Sequence, residues 1–192
     1  MRGKRTIKEK VIGTPHLEVK YWVEPVTLLE TCYTLVTASV GRNVVYCSLQ
    51  RPLSSAAEHV RNLPKDLRHA GEFQLVQDDS ANHETVEQVK EYLMGHRRDF
   101  TLPLHLYGTD FQKKVWRELL KIPYGTTKSY GDIARAVGTP RGPRAVGMAN
   151  NRNPLGLIIP CHRVIGKNGD LVGYDGGVDI KAKLLALEKT AI

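Results

Sequence analysis

The chain has 192 residues, 41% of them hydrophobic and 25% charged, which is the composition of an ordinary soluble protein with one domain or two small ones. No apolar run approaches the roughly 18 residues of a membrane-spanning helix, and the first ten residues lack the apolar region of a signal peptide, so neither a membrane nor a secreted protein is expected. The formal net charge is +8, and residues 107–192 contribute nearly all of it, with 14 Lys and Arg against 7 Asp and Glu. A polyanion-binding second half is therefore indicated.

The first half of the sequence predicts a small α/β unit. The basic decapeptide MRGKRTIKEK is interpreted as a mobile terminus, with a localisation signal or a nucleic-acid-binding arm as alternatives. Residues 33–49 form two β-rich runs around a Gly-Arg-Asn turn, which predicts a hairpin. Residues 81–95 predict a surface helix whose apolar positions are Val86, Val89, Leu93 and Met94.

The cysteines and the linker complete this part of the prediction. Cys32 and Cys47 lie in strand-like apolar sequence and are predicted to be small buried hydrophobes. Together with Cys161 they fit neither a disulfide framework nor a zinc site, which favours a reducing compartment. A linker is predicted at RRDFTLPLHLYG, which divides the chain into domains 1–105 and 106–192.

The second half is predicted to be mainly helical. Thr109 with Gln112, and Ser129 with Asp132, are capping-box patterns that open two amphipathic helices. The apolar face of the first helix consists of Phe111, Val115, Trp116, Leu119 and Leu120. Tyr130 begins the second helix, whose inward residues are Tyr130, Ile133, Ala134 and Val137.

A third helix follows a Gly-Thr-Pro break and has Pro143 in its first turn. The second and third helices, with the tight turn between them, are a helix-turn-helix candidate, and the third helix carries Arg144. No acidic residue occurs between Asp132 and Asp170, whereas six basic residues do: Arg135, Arg141, Arg144, Arg152, Arg163 and Lys167. We interpret this window as a nucleic-acid-binding face, with a merely solubilising surface as the alternative.

Cys161 and His162 follow the apolar run Leu155–Pro160 directly, with Arg163 next to them. A thiol becomes a nucleophile at neutral pH only when a base, a cation or a helix N-terminus promotes its ionisation. Neighbours in a regular strand point to opposite faces, so a turn at Pro160 or a bridging water is needed to join the pair.

The C-terminal segment VDIKAKLLALEKTAI predicts a helix capped by Asp179, with Ile180, Leu184 and Leu187 inward. Glu188 lies on the same apolar side, where it either frays into water or pairs with a histidine and completes a nucleophile, base and orienting chain. The glycine-rich stretch GYDGG, residues 173–177, lets backbone approach a substrate or simply forms a turn. Neither phosphate-binding glycine motif nor metal-ligand spacing is present, so no metal and no cofactor are expected.

Two stretches together carry a family resemblance. PCHRVIGKNGDLVGYDGG, and before it FQKKVWRELLKIPYGTTKSYGDIARAVGTPRGPRAVGMANNRNPLGLII, resemble the O6-alkylguanine-DNA alkyltransferases, also called methylated-DNA–protein-cysteine methyltransferases. The resemblance covers Phe111 to Glu188, about 40% of the chain. It implies an α/β N-terminal domain, RNase H-like with a small antiparallel sheet, and a mainly α C-terminal domain with a winged-helix-like helix-turn-helix.

The resemblance also implies the reaction. Cys161 takes the alkyl group from O6-alkylguanine, and from O4-alkylthymine as a further candidate, in one irreversible transfer after the base is flipped out of the duplex. His162 deprotonates the thiol through a water, Glu188 orients His162, and Tyr130 donates to the departing guanine. Arg144 is the finger that fills the gap left by the flipped nucleotide.

The remaining implied site residues fall into two sets. The DNA-binding set is Arg144, Ala145, Arg135, Arg141, Gly147, Asn150 and Arg152. The substrate-pocket and hinge set is Asn153, Val164, Tyr174, Asp175 and Gly176, where Asp175 replaces the serine or alanine frequent in the family. The expected partner is double-stranded DNA with alkylated bases, bound by a monomer in an intracellular compartment that contains DNA.

Two other functions compete with this one. A lesion-recognising helix-turn-helix protein with an inert thiol would keep its activity in a Cys161→Ala variant. A Cys-His hydrolase would turn over many times and need no DNA.

Overall fold

The structure is a computed structural model, and it describes residues 17–52, 56–61, 63 and 67–190. The basic N-terminal decapeptide lies outside the described residues. Within them, no helix is long and apolar enough to cross a membrane.

A four-stranded sheet occupies the first half of the chain, in the order β3-β2-β1-β4. Its strands are β1 (Leu17–Leu28), β2 (Thr31–Val40), β3 (Asn43–Gln50) and β4 (Phe73–Gln77). The hairpin predicted at residues 33–49 is confirmed as β2 and β3. The prediction of an antiparallel sheet is wrong, because β4 pairs with β1 in parallel and makes the sheet mixed. Between β3 and β4 the chain passes through α1 (Ala56–Val60). Parallel strands require such a crossover connection, so this path permits β4 to run parallel to β1.

One helix of this half, α2 (His83–Leu93), packs on the sheet. It confirms the helix predicted at residues 81–95, and it buries Val86, Val89 and Leu93 as expected. Met94 is 60% exposed, contrary to prediction, because the helix ends at Leu93 and the chain leaves through Gly95 at φ 78°.

The second half contains four helices among its described residues: α3 (Asp110–Leu119), α4 (Tyr130–Ala136), α5 (Pro143–Asn151) and α6 (Val178–Thr190). Both predicted capping boxes are present, at Thr109 and Ser129. Leu120 follows the last residue of α3 and is exposed, which corrects its predicted place on the apolar face. Two short parallel strands, β5 (Lys128–Ser129) and β6 (Val164–Ile165), bring the start of α4 beside the Cys161 segment.

The two halves share one hydrophobic core. Cys47 on β3 is fully buried, as predicted, and its backbone N–H donates to Pro154 O at 2.8 Å. Val44 bonds to Pro103 O and His105 N, so the predicted linker runs along the edge of the sheet. Cys32 is exposed, which corrects the prediction, because it is the second residue of β2 and precedes the part of the strand that is buried on both faces.

Candidate functional site

The apolar run before Cys161 buries the thiol. Leu157 and Ile159 are almost completely inaccessible, and Cys161 is 7% exposed at the start of a 3₁₀ turn, Cys161–Arg163. Leu157 adopts a left-handed φ of 71°, which costs a non-glycine residue about 1–2 kcal/mol. Core packing on both sides compensates for this strained corner beside the thiol.

Asn153 closes the loop that connects α5 to this segment. Its side-chain amide donates to Ile159 O at 2.9 Å, and its Oδ1 accepts from Leu155 N at 3.0 Å. These bonds place Asn153 at the join between helix and thiol segment, where the resemblance expects a hinge.

Glu188 is the centre of a buried hydrogen-bond network. Helix α6 carries it inward on the same face as Leu184, and its side chain is fully buried. Oε1 accepts from His162 Nε2 at 2.8 Å, from Tyr92 Oη at 2.5 Å and from Arg163 Nη2 at 2.9 Å. Oε2 accepts from Gly125 N at 3.0 Å and from Arg163 Nε at 3.0 Å. Glu188 therefore pairs with a histidine and does not fray into water.

This network determines the charge of its members. Burial alone raises the pKa of a carboxyl group, yet the hydrogen bonds from His162, Arg163 and Tyr92 lower the pKa of Glu188 to about 2. Glu188 is therefore a carboxylate that needs donors on both oxygens. His162 Nε2 supplies one of them, which leaves Nδ1 as the unprotonated nitrogen of a neutral ring.

His162 is arranged to accept a proton. Burial lowers the pKa of His162, and the partly opposing effect of Glu188 does not cancel it, so the imidazole is neutral at pH 7. Nδ1 has no hydrogen-bond partner among the described residues. The free lone pair of Nδ1 is thus available to a water or a thiol.

The surroundings of Cys161 favour the protonated thiol at pH 7. Burial raises the pKa of Cys161, whereas the Asn153 amide and the Lys181 ammonium act to lower that pKa. The thiol opens on a small cavity of about 30 Å³, the space of roughly one water. Strand β3 lines the same cavity through Cys47 and Leu49.

Lys181 is a buried cation next to this site. Its Nζ donates to Val164 O at 2.6 Å and to Val172 O at 2.9 Å, and it lies 5.8 Å from the centroid of the Tyr130 ring. Burial lowers the pKa of Lys181, while the nearby Cys161 acts to raise that pKa. Lys181 therefore joins β6 to the loop at residues 172–174 and adds positive potential near the thiol.

Tyr130 lies at the start of α4 and lines an open cavity together with Arg144 and Val172. Gly173 lines both this cavity and that of Cys161. The Tyr130 hydroxyl donates to Val172 O at 3.0 Å. Burial raises the pKa of Tyr130, with a further rise from Cys161, so the phenol keeps its proton. It can donate to a ligand only by exchanging its bond to Val172.

The predicted glycine-rich loop packs against the sheet. Tyr174, Asp175 and Gly176 all line the cavity of Cys161. A Cβ on Gly176 would lie 2.7 Å from Leu49 O, so only glycine permits this close approach to β3. Val164 is fully buried in β6, and it does not line this cavity.

The predicted DNA-binding residues divide into exposed and buried groups. The exposed ones are Arg135, Arg141, Arg144, Ala145 and Arg152, and Gly147 is half-buried against the Tyr130 ring.

Two residues point inward instead: Asn150 of α5, and Arg163 of the stretch without acidic residues. Asn150 is 6% exposed, and its Nδ2 donates to Cys161 O at 3.4 Å, so it belongs to the wall of the thiol cavity. Arg163 is 6% exposed, and its guanidinium donates hydrogen bonds to Glu188 and to Ile122 O. It is therefore not part of the basic surface.

Two residues of the site were not predicted from the sequence. Tyr92 lies on the apolar face of α2, where its spacing from Val89 indicates only a core position. Lys181 is one of several lysines in α6, and no local pattern distinguishes it. Within the described ranges, no group of three His, Cys, Asp or Glu side chains converges as a metal site.

Known proteins resemble this chain in sequence. The sequence profile described as 6-O-methylguanine DNA methyltransferase, DNA binding domain, matches residues 110–190. A methylated-DNA–protein-cysteine methyltransferase of Mycobacterium leprae is 53% identical over 112 residues, which are 58% of this chain and 68% of that protein.

Solved structures extend the similarity to both halves. The crystal structure of Mycobacterium tuberculosis O6-methylguanine methyltransferase has a TM-score of 0.74 and 36% identity, covering 91% of this chain and 94% of that one. The same organism's OGT in complex with DNA has a TM-score of 0.70 and 37% identity, with the same coverage.

Proposed function

The chain belongs to the methylated-DNA–protein-cysteine methyltransferase family, and from this premise we propose that Cys161 is the cysteine that receives the alkyl group. The activity of the chain is DNA repair by alkyl transfer. The observation that carries the assignment is the buried Cys161 thiol next to His162, whose imidazole is held by Glu188.

The first step is removal of the thiol proton. Cys161 is protonated and His162 is neutral at pH 7, so the pair begins in the protonation states that proton transfer requires. His162 Nδ1 takes the proton through a water, and Glu188 stabilises the imidazolium that forms. The positive charge of Lys181 favours the thiolate.

The second step moves the alkyl group. The thiolate sulfur attacks the alkyl carbon of O6-alkylguanine, the S–C bond forms, and the C–O6 bond breaks with its electron pair left on the purine. Tyr130 donates a hydrogen bond to that purine in place of its bond to Val172, and the proton held by His162 completes the neutral guanine. The thioether on Cys161 has no leaving group, so each chain repairs one lesion.

A base must leave the duplex to reach this thiol. Flipping costs a few kcal/mol, and a damaged, poorly pairing guanine costs less. Arg144 is exposed near the start of α5, where it can enter the gap left by the nucleotide. Ala145 and Gly147 keep the helix slim enough for a minor groove, and Arg135, Arg141 and Arg152 contact phosphates.

The finer assignments are part of the same proposal. The mixed sheet with its helices is taken as an RNase H-like N-terminal domain, residues 1–105, and the helical part as a winged-helix-like domain, residues 106–192. The protein acts as a monomer on duplexes with O6-alkylguanine, with O4-alkylthymine as a second substrate, in a DNA-containing intracellular compartment. Asn153, Val164, Tyr174, Asp175 and Gly176 form the pocket and hinge.

A labelled duplex tests the assignment. A DNA duplex with O6-[methyl-labelled]guanine is incubated with the protein, and the label is located by peptide mass spectrometry. We expect at most one label per chain, on Cys161, and none in Cys161→Ala. Loss of more than one methyl group per chain indicates a hydrolase, and an unmodified Cys161 beside repaired DNA contradicts the proposal.

A further inference from the structure

The buried network around Glu188 includes a residue from the first half of the chain. Tyr92, on α2, is fully buried and donates to Glu188 Oε1 at 2.5 Å. Its Oη also lies 3.2 Å from His162 Nε2. The Tyr92 ring is fixed by Phe100 at 5.3 Å and by Tyr124 at 5.9 Å between centroids.

The contact is specific to one carboxylate oxygen. Tyr92 and His162 bond to the same atom, Oε1, so the hydroxyl shares the negative charge that would otherwise be directed at the imidazole. Burial, followed by the charge of Glu188, raises the pKa of Tyr92 well above its usual range, so the phenol remains a donor throughout the reaction. A hydrogen bond to a charged group in a dry interior is stronger than one between neutral groups.

We propose that Tyr92 is a positioning residue for alkyl transfer, because its hydroxyl fixes the Glu188 oxygen that orients the His162 ring. The inference rests on the proposed function of Cys161 and His162. It gives the first half of the chain a part in orienting the catalytic base, beyond supporting the second half.

The other charged and titratable groups around the imidazole are few. Arg163 and the Cys161 thiol come from the same 3₁₀ turn, and Lys181 comes from α6. Tyr124 stacks beneath Arg163 at 5.5 Å, with Arg98 on its ring at 5.7 Å. Among the residues that the structure describes, Tyr92 and Arg163 share Oε1 with His162, so removal of the Tyr92 hydroxyl changes one donor and leaves the remaining charges in place.

The Tyr92→Phe variant tests the proposal and keeps the aromatic packing. With one donor fewer, the carboxylate holds the imidazolium more strongly, so the acidic limb of the pH–rate profile moves to higher pH. We expect the rate at pH 7 to fall about tenfold. The rate is measured as single-turnover transfer from free O6-benzylguanine to Cys161, so that DNA binding does not enter.

Tyr33→Phe is the matched control. Tyr33 is also a buried tyrosine of the first half, but its ring faces Lys183 at 5.4 Å. We expect its rate to stay within about twofold, with an unshifted profile. A merely structural role of Tyr92 lowers the amount of active protein without moving the acidic limb, and that outcome overturns the proposal.

A second variant covers the case in which Tyr92→Phe does not fold. Replacing Tyr92 with 3-fluorotyrosine keeps the hydroxyl and makes it a stronger donor, so the acidic limb should move to lower pH. A fluorinated protein with an unchanged profile also overturns the inference. If the unmodified protein transfers no alkyl group to Cys161, the proposed function fails first, and the two failures are thereby distinguished.

Discussion

At the scale of single residues, Glu188 is a buried charge that depends on its hydrogen-bond partners. It is a fully buried carboxylate with donors from Tyr92, His162, Arg163 and Gly125. A buried ion pair contributes modestly to stability while it is intact, but the removal of one partner leaves the other charge unpaired. The residue that orients the base is therefore also one that the fold cannot readily lose.

The Glu188→Gln variant should be both inactive and destabilised. Without the carboxylate, Arg163 remains buried and uncompensated, and we expect the free energy of unfolding to fall by about 3–5 kcal/mol. Urea unfolding measures this value. Glu24→Gln is the control, because Glu24 pairs with Lys90 at 2.9 Å in a partly exposed position and should cost at most about 1 kcal/mol.

The pH dependence of stability gives a second measure of Glu188. Its pKa in the folded protein is about 2, below its ordinary value of 4.5, so the unfolded chain takes up a proton first as the pH falls. The stabilisation is fully present above about pH 4.5 and is lost as the pH falls towards about 2. Glu188→Gln should lack this component of acid unfolding, and an equally steep loss in the variant contradicts the assignment.

The residues predicted from the sequence share one property: a local signal. Cys161, His162 and Glu188 are marked by adjacency or by helical spacing, and all three meet in the structure. Tyr92 and Lys181 carry no such signal, because their partners lie far away along the chain. The charge pattern assigns Arg163 to the basic surface, and the resemblance assigns Asn150 to the DNA-binding set, yet both side chains are buried, because neither signal tells an inward side chain from an outward one.

At the scale of elements, α5 depends on α3 for its position. Trp116 Nε1 donates to Ala149 O at 2.9 Å, and Gly108 lies so close to the indole that a Cβ would approach it to 2.6 Å. Helix α5 ends near Asn153, which leads into the segment that carries Cys161. A side chain at the start of α5 is therefore held in a fixed relation to Cys161.

Arg144→Ala tests α5 as the element that enters the duplex. The variant loses the side chain that fills the gap of the flipped nucleotide, so we expect repair of duplex DNA to slow about tenfold or more. Transfer from free O6-benzylguanine should stay within about twofold, since no flipping is needed. Arg117→Ala, an exposed arginine on α3, is the control for both rates. Equal losses on the two substrates argue against a finger role.

The elements themselves were predicted where local chemistry defines them. The capping boxes at Thr109 and Ser129 and the turn of the β2–β3 hairpin appear as expected. The parallel pairing of β4 with β1 was missed, because strand direction after a long crossover depends on packing and not on the sequence of the strand. Met94 and Leu120 were assigned to apolar faces, but each lies just beyond the end of its helix.

At the scale of the whole molecule, the two halves share a hydrophobic core, but nearly all of the net positive charge lies in the second half. Residues 1–106 carry 14 basic and 13 acidic side chains, against 14 and 7 in residues 107–192. Arg163 and Lys181 are buried and serve the site, so they do not act on the surface. In the proposed DNA-binding surface, the field that attracts DNA comes from the exposed arginines around α4 and α5, which are fewer than the sequence count indicates.

Arg141→Ala measures how much of that field reaches the phosphates. Arg141 is exposed in the turn between α4 and α5, and if it neutralises one phosphate, its loss should reduce the slope of log K against log salt by about 0.9. Binding to a duplex is titrated by fluorescence anisotropy at several salt concentrations, with the Cys161→Ala background preventing reaction. Arg42→Ala, in the β2–β3 turn of the electrically balanced half, is the matched control and should leave the slope unchanged. An equal change in both variants means that net charge, and not a defined DNA-facing surface, governs binding, because only a localised surface makes the position of an arginine matter.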